Sequence, residues 1–525
     1  MKSNSNIFHP LKNFKSDIPS SIVVFLVAMP LCLGIALASG APLFSGLIAG
    51  IIGGVVVGYL SGSHTGVSGP AAGLAVVVLN SITELGSFEL FLVAVVLAGV
   101  IQIIMGLIKG GVIAYYFPSS IIMGMLSGIG IIIFLKQLPH AFGDDRDTEG
   151  DLEFLQADGE NTFSEIWNMF EYMSPGAMVI TLTSLIILLF WETIYVKRNK
   201  ILQLIPGPLV AVISGILMGV SFQGSEFLGL RPDQMVNIPI PKNFNGFINN
   251  FSFPDFSALA NFKIYSIAMV IAVVASLETL LCVEASDKLD EHKRITPSSK
   301  ELIAQGIGNV LSGLIGGLPI TQVIVRSSAN IQAGSKTKSS SILHGFLILI
   351  SIILIPNLLN LIPLATLAAI LLIVGYKLSK PSVYKSMYAQ GKEQFIPFIV
   401  TIVGIIFTDL LIGLAMGLAV AVFFILYNTY KFSFRIKKYS EEGDDIIHIE
   451  LAQELTFFNK ANMMKVLAEI PANSKVILDA SHTTFMHYDI LEIIKNFLIN
   501  AEERNINLEI LGDLTDVNST RKSFT

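Results

Sequence analysis

Gly66-Val67-Ser68-Gly69-Pro70-Ala71-Ala72-Gly73 opens a short apolar segment near 70–83, and Gly316-Gly317-Leu318-Pro319-Ile320-Thr321, with Gly313 just ahead of it, opens another near 320–332. Neither reaches the roughly 20 apolar residues that a membrane-crossing helix needs. Around them lie longer apolar segments at 20–39, 43–61, 88–108, 112–136, 176–196, 207–222, 264–286, 300–315, 340–359, 363–378, 394–409 and 411–431, the last two broken only at Thr408-Asp409. With the short segments counted as half-spans the total is fourteen, and they stand third and tenth, at corresponding places in two halves of seven. Gly and Pro are common in membrane helices, so one such interruption carries little. A matched pair is the pattern of a transport site built from broken helices. Non-helical backbone at membrane depth is tolerated only where it is buried in protein or lines a cavity. Each half-helix then begins near the bilayer centre with free N–H groups and the positive end of its dipole exposed. That suits an anion, without metal or cofactor.

The composition agrees. Of 525 residues 52% are hydrophobic and only 14% charged, against about 25% charged in ordinary soluble domains, and the mean hydropathy is +0.67. Charge is uneven: residues 433–525 hold 15 acidic and 10 basic side chains, 25 of the 74 in the chain. The organisation expected is an N-terminal segment over 1–17, a membrane domain over 18–432 and a small soluble domain over 440–525. In that last part His448–Leu451, Lys475–Leu478 and Asn507–Leu511 read as strands, and Asn459–Glu469 and Asp489–Arg504 as helices, an α/β alternation.

Several classes are disfavoured. The net charge of −6 attracts no nucleic acid, and Cys32 and Cys282, both in apolar segments, define neither a disulfide framework nor a metal cluster. Ser20–Ser39 ends in Ala36-Leu37-Ala38, a faint imitation of a signal-peptidase site. Its apolar stretch is too long for a typical signal peptide, so it reads as a retained first span. Neither a Walker loop nor a nucleophile elbow nor a paired His/Cys set occurs, so the chain reads as no enzyme, and energy is expected from ion gradients.

Orientation follows from Lys and Arg, which concentrate in short cytoplasmic loops. With the N-terminus (Lys2, Lys12, Lys15) inside, the inside loops carry Lys197, Arg198 and Lys200, then Lys288, Lys293, Arg294 and Lys300, then Lys336 and Lys338, then Lys377, Lys380, Lys385 and Lys392. Lys431, Arg435, Lys437 and Lys438 follow the last span, and the acidic loop Asp144–Glu171 falls outside. A multi-pass protein of the cell (inner) membrane with both termini cytoplasmic is self-consistent.

Two charged residues fall inside spans. Glu278 sits in Ala275-Ser276-Leu277-Glu278-Thr279, midway along its segment. A charged side chain at the bilayer centre costs about 2.5–3.5 kcal/mol on insertion scales, so it usually faces the bundle interior and works there. The plainer reading is a protonated carboxyl bonded to a neighbouring backbone. Arg326 falls in Thr321-Gln322-Val323-Ile324-Val325-Arg326, where it adds positive potential to the half-helix ends unless it snorkels to the cytoplasmic interface. Glu278 is expected to balance it and to change protonation as substrate moves. Asp409 reads as a turn residue, Glu192 beside Trp191 as an interface residue, and His64, His140 and His344 as loop or interface residues without ligand spacing.

With these residues in place, the chain resembles the SulP family of anion transporters, bacterial relatives of the eukaryotic sulfate and anion exchangers. The resemblance covers nearly all the chain. It rests on Ala28-Met29-Pro30-Leu31 through Ala38-Ser39-Gly40, on Ser68-Gly69-Pro70-Ala71-Ala72, and on Ser276-Leu277-Glu278 with Ala285-Ser286-Asp287. Glu301-Leu302-Ile303-Ala304-Gln305-Gly306-Ile307-Gly308-Asn309 and Arg326 followed by Asn330-Ile331-Gln332-Ala333-Gly334, Lys336 and Lys338 complete it. It implies an all-α polytopic membrane domain of 14 spans, two inverted seven-span repeats divided into core and gate bundles with two half-helices, a homodimer, and a small cytoplasmic α/β STAS domain. The anion contacts it implies are Ser68, Gly69, Pro70, Ala71 and Ala72 before span three, Thr321, Gln322, Val323, Val325 and Arg326 at span ten, and Leu31 and Ile35 in span one.

Departures refine the expectation. Leu31 stands where sulfate-type members often carry Gln, and in this the chain is more similar to bicarbonate-transporting relatives. Those resemble sodium symporters with an aspartate at the Glu278 position and a hydroxyl four residues on, where this chain has Cys282. Losing the hydroxyl favours a proton as the coupling ion at Glu278 and Cys282, with sodium the other candidate. Asp158-Gly159-Glu160-Asn161 resembles a subgroup associated with carbonic anhydrases, which tilts the expectation toward bicarbonate. In Phe485-Met486-His487-Tyr488-Asp489-Ile490 a carboxylate occupies the place of the phosphorylatable serine of anti-anti-sigma relatives, so no phospho-switch is expected. The function implied is secondary active transport of a small inorganic anion, of the bicarbonate or sulfate class, by elevator-like displacement and without a cofactor. Its rivals are an uncoupled anion channel or exchanger, a nucleobase carrier of the same fold, and a membrane anchor for the tail domain. Glu278 argues against a channel. Ala71, Ala72 and Ile320 offer a nucleobase too few hydrogen-bonding side chains.

Overall fold

Each of the twelve long apolar segments forms a helix in the computed structural model, which describes residues 14–146, 154, 161–193, 196, 205–237, 251–431, 433–441 and 444–512. Lys2, Lys12, Lys197, Arg198, Lys200 and Asp158-Gly159-Glu160 lie outside the described residues. The first half contains α1 (Phe14–Ala38), α2 (Leu43–Ile52, continued by a π turn over Gly53–Val57), strand β1 (Ser68–Pro70), α3 (Ala75–Leu85), α4 (Phe88–Leu107), α5 (Ser119–Phe142), α6 (Thr162–Tyr172), α7 (Pro175–Trp191) and α8 (Gly207–Ser221). The second contains α9 (Phe262–Leu289), α10 (Ser298–Leu314), β2 (Ile320–Gln322), α11 (Ile324–Gln332), α12 (Ser339–Leu354), α13 (Leu364–Leu378), α14 (Pro381–Ala389), α15 (Lys392–Phe407) and α16 (Leu410–Lys431). Seven helices among the described residues are long and apolar enough to cross a membrane, and the bent pair α6–α7 makes an eighth candidate.

One boundary moves. The segment expected at 112–136 is helical over Ser119–Phe142 instead, because Gly110–Tyr116 forms a 3₁₀ turn and Pro118 sits at the N-cap. Proline has no N–H to give a preceding turn and fits a helix start.

The helices pack in two groups. In one, α4 lies along α10 and α9, and α1 along α2, α11 and α12; in the other, α5 lies along α13 and α15, and α7 along α8 and α13. Small residues set the closest approaches, as membrane helices require where no hydrophobic effect drives them together. A Cβ on Gly99 of α4 would lie 2.6 Å from the Gly306 carbonyl oxygen of α10, and one on Gly306 2.6 Å from the Gly99 oxygen. Gly130 of α5 and Gly375 of α13 repeat the arrangement at 2.7 and 2.6 Å.

The C-terminal unit is a separate compact body with its own sheet, in the order β3 (Phe434–Glu441), β4 (Asp444–Leu451), β5 (Lys475–Asp479), β6 (Asn507–Leu511). β3 is antiparallel to β4, while β4, β5 and β6 run parallel. Helices α17 (Lys460–Glu469) and α18 (Tyr488–Glu503) supply Met463, Ile490 and Ile494 to a core shared with Ile449, Val476 and Leu478. Strand β3 begins ahead of residue 440. Its Arg435, Lys437 and Lys438 read in sequence only as a basic flank of the last span, and charged side chains are what an edge strand carries.

Candidate functional site

The two interrupted segments meet. β1 and β2 pair antiparallel, with Ser68 opposite Gln322, Gly69 opposite Thr321 and Pro70 opposite Ile320. The Val323 N–H extends the pairing by donating to the Val67 carbonyl at 2.9 Å. Each break thus satisfies the other's backbone, which buried non-helical chain must do. Beyond the strands the chain turns helical again, through a 3₁₀ turn over Ala72–Leu74 into α3 and directly into α11. The capping positions Ala71, Leu74 and Val323 offer no side-chain hydrogen bond to the first turns, and the Ile324 N–H is directed at the Cys282 thiol of α9.

A polar stripe of α10 holds this crossing in place. Glu301, Gln305, Asn309 and Ser312 are all fully buried on one face. Asn309 Oδ1 accepts from the Ile320 N–H at 2.6 Å, and its Nδ2 donates to the Ile320 carbonyl at 3.0 Å and to Gln102 Oε1 at 2.6 Å. Gln305 Nε2 donates to Ser68 Oγ at 2.7 Å and to Glu301 Oε1 at 3.1 Å. From the α9 side Gln322 Nε2 donates to Ser286 Oγ at 3.0 Å. Just past α9, Arg294 donates to Asp290 through Nε and Nη2, at 2.8 and 2.9 Å, and holds that carboxyl down to about 2.

Beside the strand pair lies a cavity of about 330 Å³. Ala72 and Gly73 at the start of α3, Val323, Ile324 and Val325 at the start of α11, and Glu278 and Cys282 of α9 form one wall. Ile129 and Ile132 of α5, Ile405 of α15 and Asp409–Ile412 form the other, so the cavity lies where the two helix groups face each other. The Glu278 side chain is only 6% exposed, and both its oxygens lie within 3.5 Å of where a Cβ on Gly73 would be. Its Oε2 has no hydrogen-bond partner among the described residues. A carboxyl group and the starts of two half-helices therefore share one enclosure.

The residues expected at the site divide. Ala72, Val323, Val325, Glu278 and Cys282 line the cavity. Ser68, Gly69, Pro70, Ala71, Thr321 and Gln322 form or flank the strand crossing, buried and outside the lining, and Leu31 and Ile35 are buried in α1. Arg326 does not snorkel. It is fully buried one residue past Val325, on another face of α11, against β1: a Cβ on Gly69 would meet its Nη1 at 2.0 Å. No ion pair joins it to Glu278 among the described residues; Cys32 and His344 are its neighbours instead. His140 and His344 are buried rather than peripheral. His140 meets Asp145 at 2.6 Å, and burial pushes the Asp145 carboxyl up although the histidine opposes the shift. Asp409 caps α16, accepting from the Ile412 N–H at 2.8 Å, and also lines the cavity. Gln102, Gln305 and Asn309 were given no role from the sequence; for the two in α10 the signal was the 4-4-3 spacing of polar residues from Glu301 to Ser312, while Gln102 of α4 stood alone in an apolar run.

An Arg326→Ala variant is expected to bind a small anion about tenfold more weakly while reaching normal reconstituted levels, because a buried guanidinium is poorly screened. Apparent affinity in a flux assay checks this. An unchanged value would show that its field does not reach the cavity.

Residues 14–401 match the sulfate permease family. YvdB of Bacillus subtilis, named for sulfate transport, is 30% identical over 422 residues, 79% of this chain and 74% of that protein. The bicarbonate transporter BicA of Picosynechococcus is 27% identical over 420 residues, 78% of this chain and 70% of that one. The structure of murine Solute Carrier 26 family member A9 superposes with a TM-score of 0.68 at 16% identity, covering 97% of this chain and 87% of that chain, a likeness of fold.

Proposed function

Because the chain belongs to the sulfate permease family, whose members are membrane transporters of anions, we propose that it is a secondary active carrier of a small inorganic anion of the bicarbonate or sulfate class, coupled to protons through Glu278. The observation that carries this reading is the enclosure in which Glu278 faces Gly73 beside the starts of α3 and α11. The N–H groups of Ala72 and Gly73 on one side and of Val325 on the other are the anion's donors. Leu31, Ile35 and the strand residues Ser68–Ala71 and Thr321–Gln322 act from behind, by fixing where those N–H groups point. Cys282, one turn from Glu278, supplies no hard oxygen ligand for sodium, which favours the proton.

On this reading the group holding α3, α9 and α11 moves as a rigid core against the group holding α5, α13 and α15. Fourteen spans in two inverted repeats, a dimer and cytoplasmic termini in the inner membrane complete it, and the tail is a STAS domain. Flux into proteoliposomes with sulfate, bicarbonate, chloride and uracil tests the substrate class. Uptake of an inorganic anion and none of uracil is expected. Uracil uptake would make the chain a nucleobase carrier, and no flux at all would make the membrane domain an anchor.

Truncation after Lys431 removes the tail sheet whole, whereas a cut at residue 440 would strand β3 without its partner β4. The truncated protein is expected to keep its order of preference among anions and to change only in rate or level, measured in the same flux assay. A changed preference would place part of the anion site in the tail.

A further inference from the structure

Helix α6 has two faces that ask for different surroundings. Thr162, Glu165 and Met169 are buried. The Glu165 carboxylate meets Lys136 Nζ of α5 at 3.0 Å, and the two side chains are only 5% and 6% exposed. Asn161 caps the helix, its Oδ1 accepting from the N–H groups of Phe163 and Ser164 at 3.0 and 3.1 Å. The helix is therefore fixed to α5 by a buried ion pair and started by a strong cap. On the other face Phe163, Trp167 and Phe170 recur at i, i+4 and i+7, and they are 46%, 78% and 55% exposed. Water is a poor neighbour for such a stripe, and an apolar patch of this kind marks a partner.

The neighbouring chain says which partner. α6 meets α7 at a bend of 115°. Met178, Leu182, Ile186 and Leu189 of α7 are exposed on one face, at the spacing of a lipid-facing stripe. Met173, at the bend, is exposed too, so the aromatic face of α6 continues into the lipid-facing side of α7. With α7 across the bilayer, as the transport reading has it, the bend lays α6 closer to the membrane plane than to its normal. Trp at headgroup depth is the usual chemistry of such helices.

We propose that α6 is an interfacial helix whose Phe163, Trp167 and Phe170 seat in the lipid headgroup region at the N-terminal end of α7. Through Lys136–Glu165 it holds α5 at a fixed depth, so the helix group carrying α5 stays registered to the bilayer while the other group moves.

The chain's two tryptophans, Trp167 and Trp191, make the test simple. The full-length Trp191→Phe protein, reconstituted into phosphatidylcholine vesicles, leaves Trp167 as the sole indole. Acyl chains brominated near the headgroup are expected to quench it about twofold more than chains brominated near their ends, with blue-shifted emission and little quenching by iodide. Water-like emission quenched by iodide would overturn the proposal. So would blue-shifted emission insensitive to brominated lipid, which would mean that protein covers the stripe. Trp167→Phe is a second arm: it should lower the shallow-quenched emission of the wild type by the share of Trp167, leaving that of Trp191, so the test survives a folding defect in the first variant. None of these readings involves a substrate, so their failure is distinct from failure of the transport reading.

Discussion

An Asn309→Leu variant is expected to lose transport and most of its folded yield. Leucine shares asparagine's branched heavy-atom skeleton and none of its hydrogen bonds, so the main cost is polar. The change leaves three buried groups unpaired: the Ile320 N–H, the Ile320 carbonyl and Gln102 Oε1. Each orphan costs about 1–3 kcal/mol, and a stability on the order of 5–15 kcal/mol leaves little room for three. Ile320 is also the partner of Pro70 across the strand pair, so slack there moves the start of α11 relative to that of α3. Asn309→Asp keeps an acceptor for the Ile320 N–H but cannot donate to the carbonyl, and should fall between the two. Thermal unfolding in detergent, with uptake at matched protein levels, measures both effects. A leucine variant of normal stability and rate would show that the strand crossing holds without α10.

Much of this arrangement was legible in the sequence, for physical reasons. Apolar length announces a membrane-domain helix, so each of the twelve long segments holds one, seven of them long and apolar enough to cross a membrane among the described residues. The short segments stood out by Gly and Pro where the apolar length falls short. Glu278 was visible because a carboxyl at membrane depth is costly and rarely idle. What sequence did not disclose was direction. One residue along α11 separates Val325, which lines the cavity, from Arg326, which packs on Gly69, and a 100° step cannot be assigned without knowing what lies on each side. The pairing of β1 with β2 joins three-residue strands some 250 residues apart, too short for any alternation to show. Charge hid β3, because Arg and Lys after a last span serve topology as readily as they blunt a sheet edge.

Glu278→Gln is expected to bind the anion and exchange it at near-normal affinity, yet to lose about tenfold or more of the uptake that an inward proton gradient drives in the wild type. An anion and an ionised Glu278 within one cavity of about 330 Å³ repel each other. At about 5 Å and an effective dielectric of about 20 the repulsion is about 3 kcal/mol. On the proposed reading anion and proton therefore bind together, and the loaded core carries both across. Glutamine fixes the neutral form, keeps the shape beside Gly73 and removes the change of charge at Glu278. Counterflow of labelled anion at equal pH, which needs no net proton movement, should survive in the variant. Its loss would give Glu278 a part in holding the anion itself.

The most direct measurement is anion uptake by wild-type proteoliposomes under an imposed proton gradient, with and without sodium. Uptake that rises with the inward proton gradient and is indifferent to sodium is the expected result. Uptake that requires sodium and ignores pH would make Glu278 a cation ligand and would contradict proton coupling.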